Sequence, residues 1–296
     1  MKKFKSGFIA LVGRPNAGKS TLLNNLVNDK VAIVTNKPQT TRNVIRGVRS
    51  DEDSQMIFMD TPGIHKPKHK LGGSMVNRAY GSLRDADLIY YVIDGTQKFG
   101  PGDRFILEKL KLSEKPVFLI VNKIDRFSGD DLIELLLAWQ ECFEFKEMIP
   151  VSALKDLNVE KLIEVTKTYL TDDVKYYPED QVSDQEEDFL YAEIIREKLI
   201  FAMKEEIPHS IAVVIEDKKI KDDITIIDAI VIVERDSQKG IVIGKGGNVL
   251  KQVGTLARRD IQNKLNKKVF LNLFVTVEKD WRNNPKKVEK YGHSNE

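Results

Sequence analysis

Few stretches leave a chain as little freedom as Gly13-Arg14-Pro15-Asn16-Ala17-Gly18-Lys19-Ser20-Thr21, entered directly from the apolar run Phe8-Ile9-Ala10-Leu11-Val12. The apolar run is short, β-permissive and closed by glycine, which predicts a buried strand. Thr21-Leu22-Leu23-Asn24-Asn25-Leu26-Val27 has the apolar spacing of a helix. Strand, glycine-rich turn and helix in that order make a phosphate-binding loop. Gly13 and Gly18 let the backbone fold back so that its N–H groups converge on an anion at the helix N-terminus. Lys19 adds a point charge for the outer phosphates, and Ser20 offers its hydroxyl to Mg2+. The bland alternative, a glycine-rich turn matching by chance, loses ground as the rest of the chain is read.

The segments Asn43 to Arg49 and Gln55 to Met59 flank the polar turn Ser50-Asp51-Glu52-Asp53-Ser54 and read as a hairpin. The second strand runs into Asp60-Thr61-Pro62-Gly63. There an acid at the strand's carboxyl edge can hold Mg2+ through water, and Gly63 lets its N–H approach a terminal phosphate. Leu88–Ile93 and Val117–Val121 are continuous apolar runs, as in central parallel strands covered on both faces. Asn122-Lys123-Ile124-Asp125 follows the second run, at the edge where open α/β sheets bind ligands. Asp125 can accept two hydrogen bonds from the N1–H and exocyclic amine of guanine, a pattern that adenine lacks, so the expected nucleotide is GTP. A last strand, Met148 to Val151, leads into Ser152-Ala153-Leu154, whose backbone can meet the guanine carbonyl.

These four motifs, in this order and approximate spacing, resemble the translation-factor-like branch of Ras-type GTPases. The resemblance implies a switch I threonine between the first and second motifs, and Pro38-Gln39-Thr40-Thr41-Arg42 is the candidate segment. Thr41 is the expected Mg2+ ligand, because the branch places its threonine directly before Arg; Thr40 is the fallback. After Gly63, where Ras-like proteins carry a water-orienting Gln, this chain has Ile64. An aliphatic side chain cannot hold water by hydrogen bonding, so slow intrinsic hydrolysis is expected, resting on Lys19, Thr41, Gly63 and a further cation. The resemblance to potassium-dependent GTPases assigns that cation, K+, to Asn16. An Asn in a tight loop also suits a left-handed backbone without any ion. His65 and His69 read as part of a solvated basic loop rather than a metal site, and the Leu-rich Asp131 to Cys142 as a core-facing helix.

With 296 residues, two domains are expected: a GTPase domain over 1–172 and a second domain over 189–296, ending in a basic tail. The linker between them, 173–188, lies in a stretch from 171 to 188 with eight acids against one Lys. In the second domain an amphipathic helix from Leu190 to Met203 precedes strands Ile211 to Ile215 and Ile224 to Glu234, joined by a charged turn from Glu216 to Asp223. Residues 237 to 287 carry twelve Lys or Arg against three acids. Inside that stretch, Gly244-Lys245-Gly246-Gly247 is a G-x-x-G loop between helical segments, followed by a helix and the strand Val269 to Val277. Its glycines permit close approach to a sugar-phosphate backbone, Lys245 neutralises phosphate, and the neighbouring apolar face makes a groove for about four unpaired bases. Lys251, Arg258 and Arg259 extend the basic surface.

This second half resembles a type II, α+β K-homology domain. The fold class expected for the whole is therefore a Ras-like α/β GTPase domain, with a mostly parallel sheet and helices on both faces, followed by that RNA-binding module. A GTPase with one C-terminal K-homology domain resembles a bacterial ribosome-assembly family. The resemblance implies binding to the 3′ region of 16S ribosomal RNA and a role in maturing the small subunit, as a monomer in the cytoplasm. The residues themselves point no further than single-stranded RNA. An RNA-binding scaffold with a structural GTP site is the competing reading, kept open by Ile64, which weakens the hydrolytic machinery. A P-loop ATPase or kinase would leave Asp125 without a purpose.

The lone Cys142 can form no internal disulfide, fits a reducing compartment and reads as a core residue. The apolar run after Met1-Lys2-Lys3-Phe4-Lys5 stops at Val12, too short for a secretory signal. No later stretch approaches the ~18 apolar residues of a membrane span. Contact with the inner face of the cell membrane is thus expected only as peripheral docking through the basic surface.

Overall fold

The computed structural model describes residues 4–38, 40–64, 69–203 and 207–291. Gln39, the loop residues His65 to Lys68, Glu206 and the last five residues of the basic tail lie outside them. The chain forms two compact units that divide between Asp184 and Gln185, except that Ile33–Lys37 and Lys68–Gly73 sort with the second.

In the first unit the elements follow as β1 (Lys5–Val12), α1 (Lys19–Val27), β2 (Ile45–Asp51), β3 (Ser54–Asp60), α2 (Lys70–Asp85), β4 (Leu88–Asp94), α3 (Pro101–Lys111), β5 (Val117–Asn122), α4 (Gly129–Gln140), β6 (Glu147–Pro150) and α5 (Val159–Tyr169). The sheet order is β2-β3-β1-β4-β5-β6, parallel except for the β2–β3 hairpin. Alternate residues of the buried strands serve two helical layers. Tyr91 joins Ala79, Leu83, Ile106, Leu110 and Trp139 beneath α2, α3 and α4. Its neighbour Tyr90 faces the opposite side and meets the Thr166 hydroxyl of α5. This is the expected Ras-like arrangement, and it brings the carboxyl ends of β1, β3, β5 and β6 to one edge. The Leu-rich helix is less buried than its composition suggests: Leu132, Leu135 and Leu136 pack inward while Ile133 and Leu137 are exposed. Cys142 is half-buried against the same core.

Much of the stretch expected to be a linker is paired to the sheet. Val48 N–H donates to the Val182 carbonyl at 2.9 Å, and just before the linker Ser6 N–H donates to the Asp172 carbonyl at 2.8 Å. Gln55 Nε2 donates to the Tyr177 carbonyl at 2.9 Å, while its Oε1 accepts from the N–H groups of Tyr176 and Tyr177 at 2.7 and 3.0 Å. The Val182 pairing covers the edge strand β2, whose outer backbone groups need partners, while Ser6 belongs to β1 and Gln55 to β3.

The second unit comprises α6 (Glu187–Ala202), the short α7 (Ile207–Ser210), β7 (Ala212–Lys221), β8 (Ile224–Val233), α8 (Asp236–Ile243), α9 (Asn248–Leu265), β9 (Lys268–Val277) and α10 (Pro285–Tyr291). β8 pairs antiparallel with β7 and parallel with β9. Ile195 and Leu199 of α6 and Val253, Ala257 and Ile261 of α9 cover Ala229 and Val231 of β8. The charged stretch from Glu216 was expected to be a turn, but the strand continues to Lys221 through a bulge between Ile215 and Asp217. β7 is an edge strand there, so solvent-facing charges replace the alternation that would have marked it. Fully buried Trp281, unforeseen in the sequence, anchors the C-terminal turn by donating its indole N–H to the Ser210 carbonyl at 2.9 Å.

Candidate functional site

The loop from Gly13 to Gly18 leaves β1 against β4 and enters α1 through Gly18, whose φ is 95°. A Cβ at Gly18 would lie 2.2 Å from Asn122 Nδ2, and one at Gly13 would lie 2.1 Å from the Val92 carbonyl oxygen. Glycine is therefore required by close approach as well as by conformation. Gly18→Ala is expected to lower nucleotide affinity by about a hundredfold, because left-handed strain and a displaced Asn122 add; titration of a fluorescent GDP derivative measures it.

At the mouth of the loop three hydroxyl or carboxylate groups converge. Ser20 Oγ donates to Asp60 Oδ2 at 2.5 Å, Thr41 Oγ1 donates to the same oxygen at 3.2 Å, and the two hydroxyls are 3.0 Å apart. Asp60 is fully buried, and its Oδ1 has no hydrogen-bond partner among the described residues. Lys19, also buried, donates to the carbonyls of Gly13 and Arg14 at 3.3 and 3.2 Å. Burial pushes the Lys19 ammonium below its ordinary pKa and the Asp60 carboxyl above its own, so each charge is held at a cost that a polyanion and a hard cation would relieve. An all-oxygen set with an unsatisfied carboxylate oxygen fits Mg2+. Clusters of three or more His, Cys, Asp or Glu are absent among the described residues. His69 instead accepts a hydrogen bond from Gly72 N–H at 3.0 Å at the start of α2, and His65 lies outside the described residues.

Asn122 acts as a hub. Its Nδ2 donates to the Ala17 carbonyl at 2.9 Å, and its Oδ1 accepts from Lys123 N–H at 2.8 Å and Ala153 N–H at 3.0 Å. The phosphate loop and the Ser152-Ala153-Leu154 segment are thereby tied together, and the Ala153 amide already has a partner. Lys123 donates to Asp94 Oδ2 at 2.6 Å and to the Asn16 carbonyl at 3.1 Å. Asp125 is exposed, and its Oδ1 accepts from Ser152 Oγ at 2.5 Å. That bond, more than any neighbouring charge, holds its carboxyl below the usual carboxylate range.

Several residues of the motifs face away from this mouth. Thr61 is buried with its hydroxyl on the Leu11 carbonyl at 2.8 Å, and Arg14 reaches Asp103 at 3.1 Å. Pro62 is buried, and Pro15 abuts Gly63, where a Cβ would come within 3.1 Å. Thr21 is half-buried, Leu154 is exposed, and Asn16 has a left-handed φ of 64°. Ile64 is buried among the residues under α2. Sequence reading missed Asn24 and Asn25: Asn24 Oδ1 accepts from the Val31 and Ala32 amides, pinning the chain before switch I, and Asn25 Nδ2 donates to the Ala153 carbonyl at 2.6 Å. Nothing local marks these, since an Asn on a helix is ordinarily a surface residue.

In the second unit a groove of about 520 Å³ runs between α9 and β9, lined by Gly247, Leu250, Lys251, Gly254, Thr255, Arg258, Leu271 and Leu273. Gly244 enters the loop with φ 76°, where a Cβ would meet Val249 Cγ2 at 2.4 Å. Gly246 and Gly247 are also left-handed, and Lys245 is exposed on the loop. Gly247, Lys251, Gly254 and Arg258 recur every three or four residues, a helical stripe that could have identified Gly254 from sequence. Arg259 is exposed, does not line the groove and lies 3.8 Å from Asp260.

A sequence profile described as "50S ribosome-binding GTPase" matches residues 8–123, and a KH domain profile matches residues 206–282. Among solved structures, a variant of Aquifex aeolicus Era bound to GDP.AlF4- is 40% identical, with a TM-score of 0.96, covering 98% of this chain and 100% of that one. A structure of Era in complex with MgGDPNP and nucleotides 1506-1542 of 16S ribosomal RNA matches at the same identity and TM-score, over 98% of this chain and 99% of that one.

Proposed function

This chain belongs to the Era family of GTPases, and we propose that it is a GTP-hydrolysing switch that binds single-stranded RNA of the 16S 3′ region and assists maturation of the small ribosomal subunit. The observation that carries the nucleotide half is the convergence of Ser20, Thr41 and Asp60 beside Lys19. The profile matching residues 8–123 names the large subunit. A relative that matches over nearly the whole chain is complexed with 16S RNA, the RNA of the small one, and has the stronger claim.

In this reading the backbone from Gly13 to Ser20 and the Lys19 ammonium hold the phosphates, with Gly63 donating from the other side. Ser20, Thr41 and Asp60 hold Mg2+, which when bound neutralises charge on the outer phosphate oxygens. Asp125, oriented by Ser152, selects guanine, and Asn122 and Lys123 keep the base segment joined to the phosphate loop. Ala153 and Leu154 border the base, while Arg14, Pro15, Thr21, Thr61 and Pro62 shape the loops behind it. Gly244, Lys245, Gly246, Gly247, Lys251 and Arg258 contact RNA, and Arg259 adds charge outside the groove.

Hydrolysis draws on K+ held at Asn16. What supports this is Ile64, turned into the core and unable to orient water. Replacing K+ by Na+ at equal ionic strength is expected to slow phosphate release about tenfold or more, by analogy with other cation contributions to phosphoryl transfer, and Asn16→Ala should erase the difference. Equal rates in the two salts would remove K+ from the site. The domain bounds proposed are 1–172 and 189–296. The protein acts as a monomer in the cytoplasm. Among the described residues no helix is long and apolar enough to cross a membrane; membrane contact is peripheral, through the basic surface of 237–287.

A further inference from the structure

Arg78, in α2, grips the chain immediately after Thr41. Its Nη1 donates to the Arg42 carbonyl at 3.2 Å and to Asn43 Oδ1 at 2.6 Å. It makes no ion pair among the described residues, although it is half-buried and burial lowers its pKa. A partly desolvated cation without a carboxylate costs free energy unless its hydrogen bonds return it. Here both bonds go to a single loop turn. The carbonyl of Arg42 is one residue from Thr41, whose side chain reaches Ser20 and Asp60.

We propose that Arg78 is a positioning residue that latches switch I to α2 and holds Thr41 Oγ1 in the Mg2+ site. The inference rests on the reading of Thr41 as a Mg2+ ligand. The latch also joins two parts of the nucleotide-sensing machinery, since α2 follows Gly63 in the chain. Switch loops order through contacts to the terminal phosphate and its cation. Arg78 should therefore favour the triphosphate state and leave GDP binding alone.

The test uses the full chain and measures affinity for a non-hydrolysable GTP analogue and for GDP, with single-turnover hydrolysis alongside. Arg78→Gln is expected to lower analogue affinity and the hydrolysis rate about tenfold each, the scale of removing a hydrogen bond to a charged group, with GDP affinity within about twofold. Asn43→Ala, which removes one acceptor and keeps Arg78, should move both in the same direction by less. The combination Thr41→Ala with Arg78→Gln should be no worse than Thr41→Ala alone, because the two act on one interaction. A parallel loss of GDP affinity in Arg78→Gln, or losses that multiply in the double variant, overturns the latch. If Thr41→Ala discriminates against the analogue and Arg78→Gln does not, the latch fails while the Thr41 reading stands. If Thr41→Ala changes nothing, both fall.

Discussion

Replacing Asp125 by Asn is expected to shift preference from GTP toward XTP by about three orders of magnitude, as when a polar site is left unpaired by the wrong base. In the proposed reading the carboxylate accepts from the guanine N1–H and amine. Xanthine carries a carbonyl in place of that amine, which an amide N–H can meet. The structure adds the reason the carboxylate is ready to do this: it is exposed, with Ser152 Oγ donating to Oδ1 at 2.5 Å and holding its pKa below the usual range. A depressed pKa keeps the acceptor ionised until pH falls beneath it. Guanine selectivity should thus stay flat from neutral pH down through the ordinary carboxylate range near ~4 and weaken only below it. Ser152→Ala should raise the pH at which selectivity fades. Competition between GTP and XTP, read by fluorescence for the wild-type protein and for each variant, checks both points; unchanged GTP affinity in Asp125→Asn would sink the assignment.

RNA binding should fall by about a hundredfold or more at physiological salt when Lys245→Asp is combined with Gly246→Asp. The pair removes one cation and sets two anions where the backbone must approach phosphate. The geometry makes this a test of binding rather than of folding. A Cβ at Gly246 meets nothing within 4 Å, and its φ of 62° is one that Asp tolerates better than most residues. The core beneath, Val253, Ala257 and Ile261 against β8, is untouched. Remaining affinity should also depend less steeply on salt, the slope falling by about one for each phosphate that is no longer neutralised. GTP affinity should hold within about twofold, because Lys19, Ser20 and Asp125 belong to the other compact unit. Wild-type affinity for a single-stranded 16S 3′ fragment in the double variant would refute the groove's role.

Features whose chemistry is written within a few consecutive residues were legible before any fold was known. A strand, glycine turn and helix around Lys19, the aspartates at the ends of two apolar runs, and a glycine-rich loop inside a basic stretch each impose a backbone form and a ligand class locally. Thr41 needed the further knowledge of how related chains order their motifs. What depends on side chains far apart in the chain was settled by packing. Packing turned Thr61 and Arg14 toward Leu11 and Asp103, made Asn122 a hub between Ala17 and Ala153, and set Arg78 against Arg42 and Asn43. It also extended β7 through charges that carry no alternation, paired the acidic stretch to β2, and placed Leu271 and Leu273 with Gly254 along the groove. A local pattern constrains which conformations a segment can adopt, but which partner satisfies a given polar group is chosen only when the fold brings the two within about 3 Å.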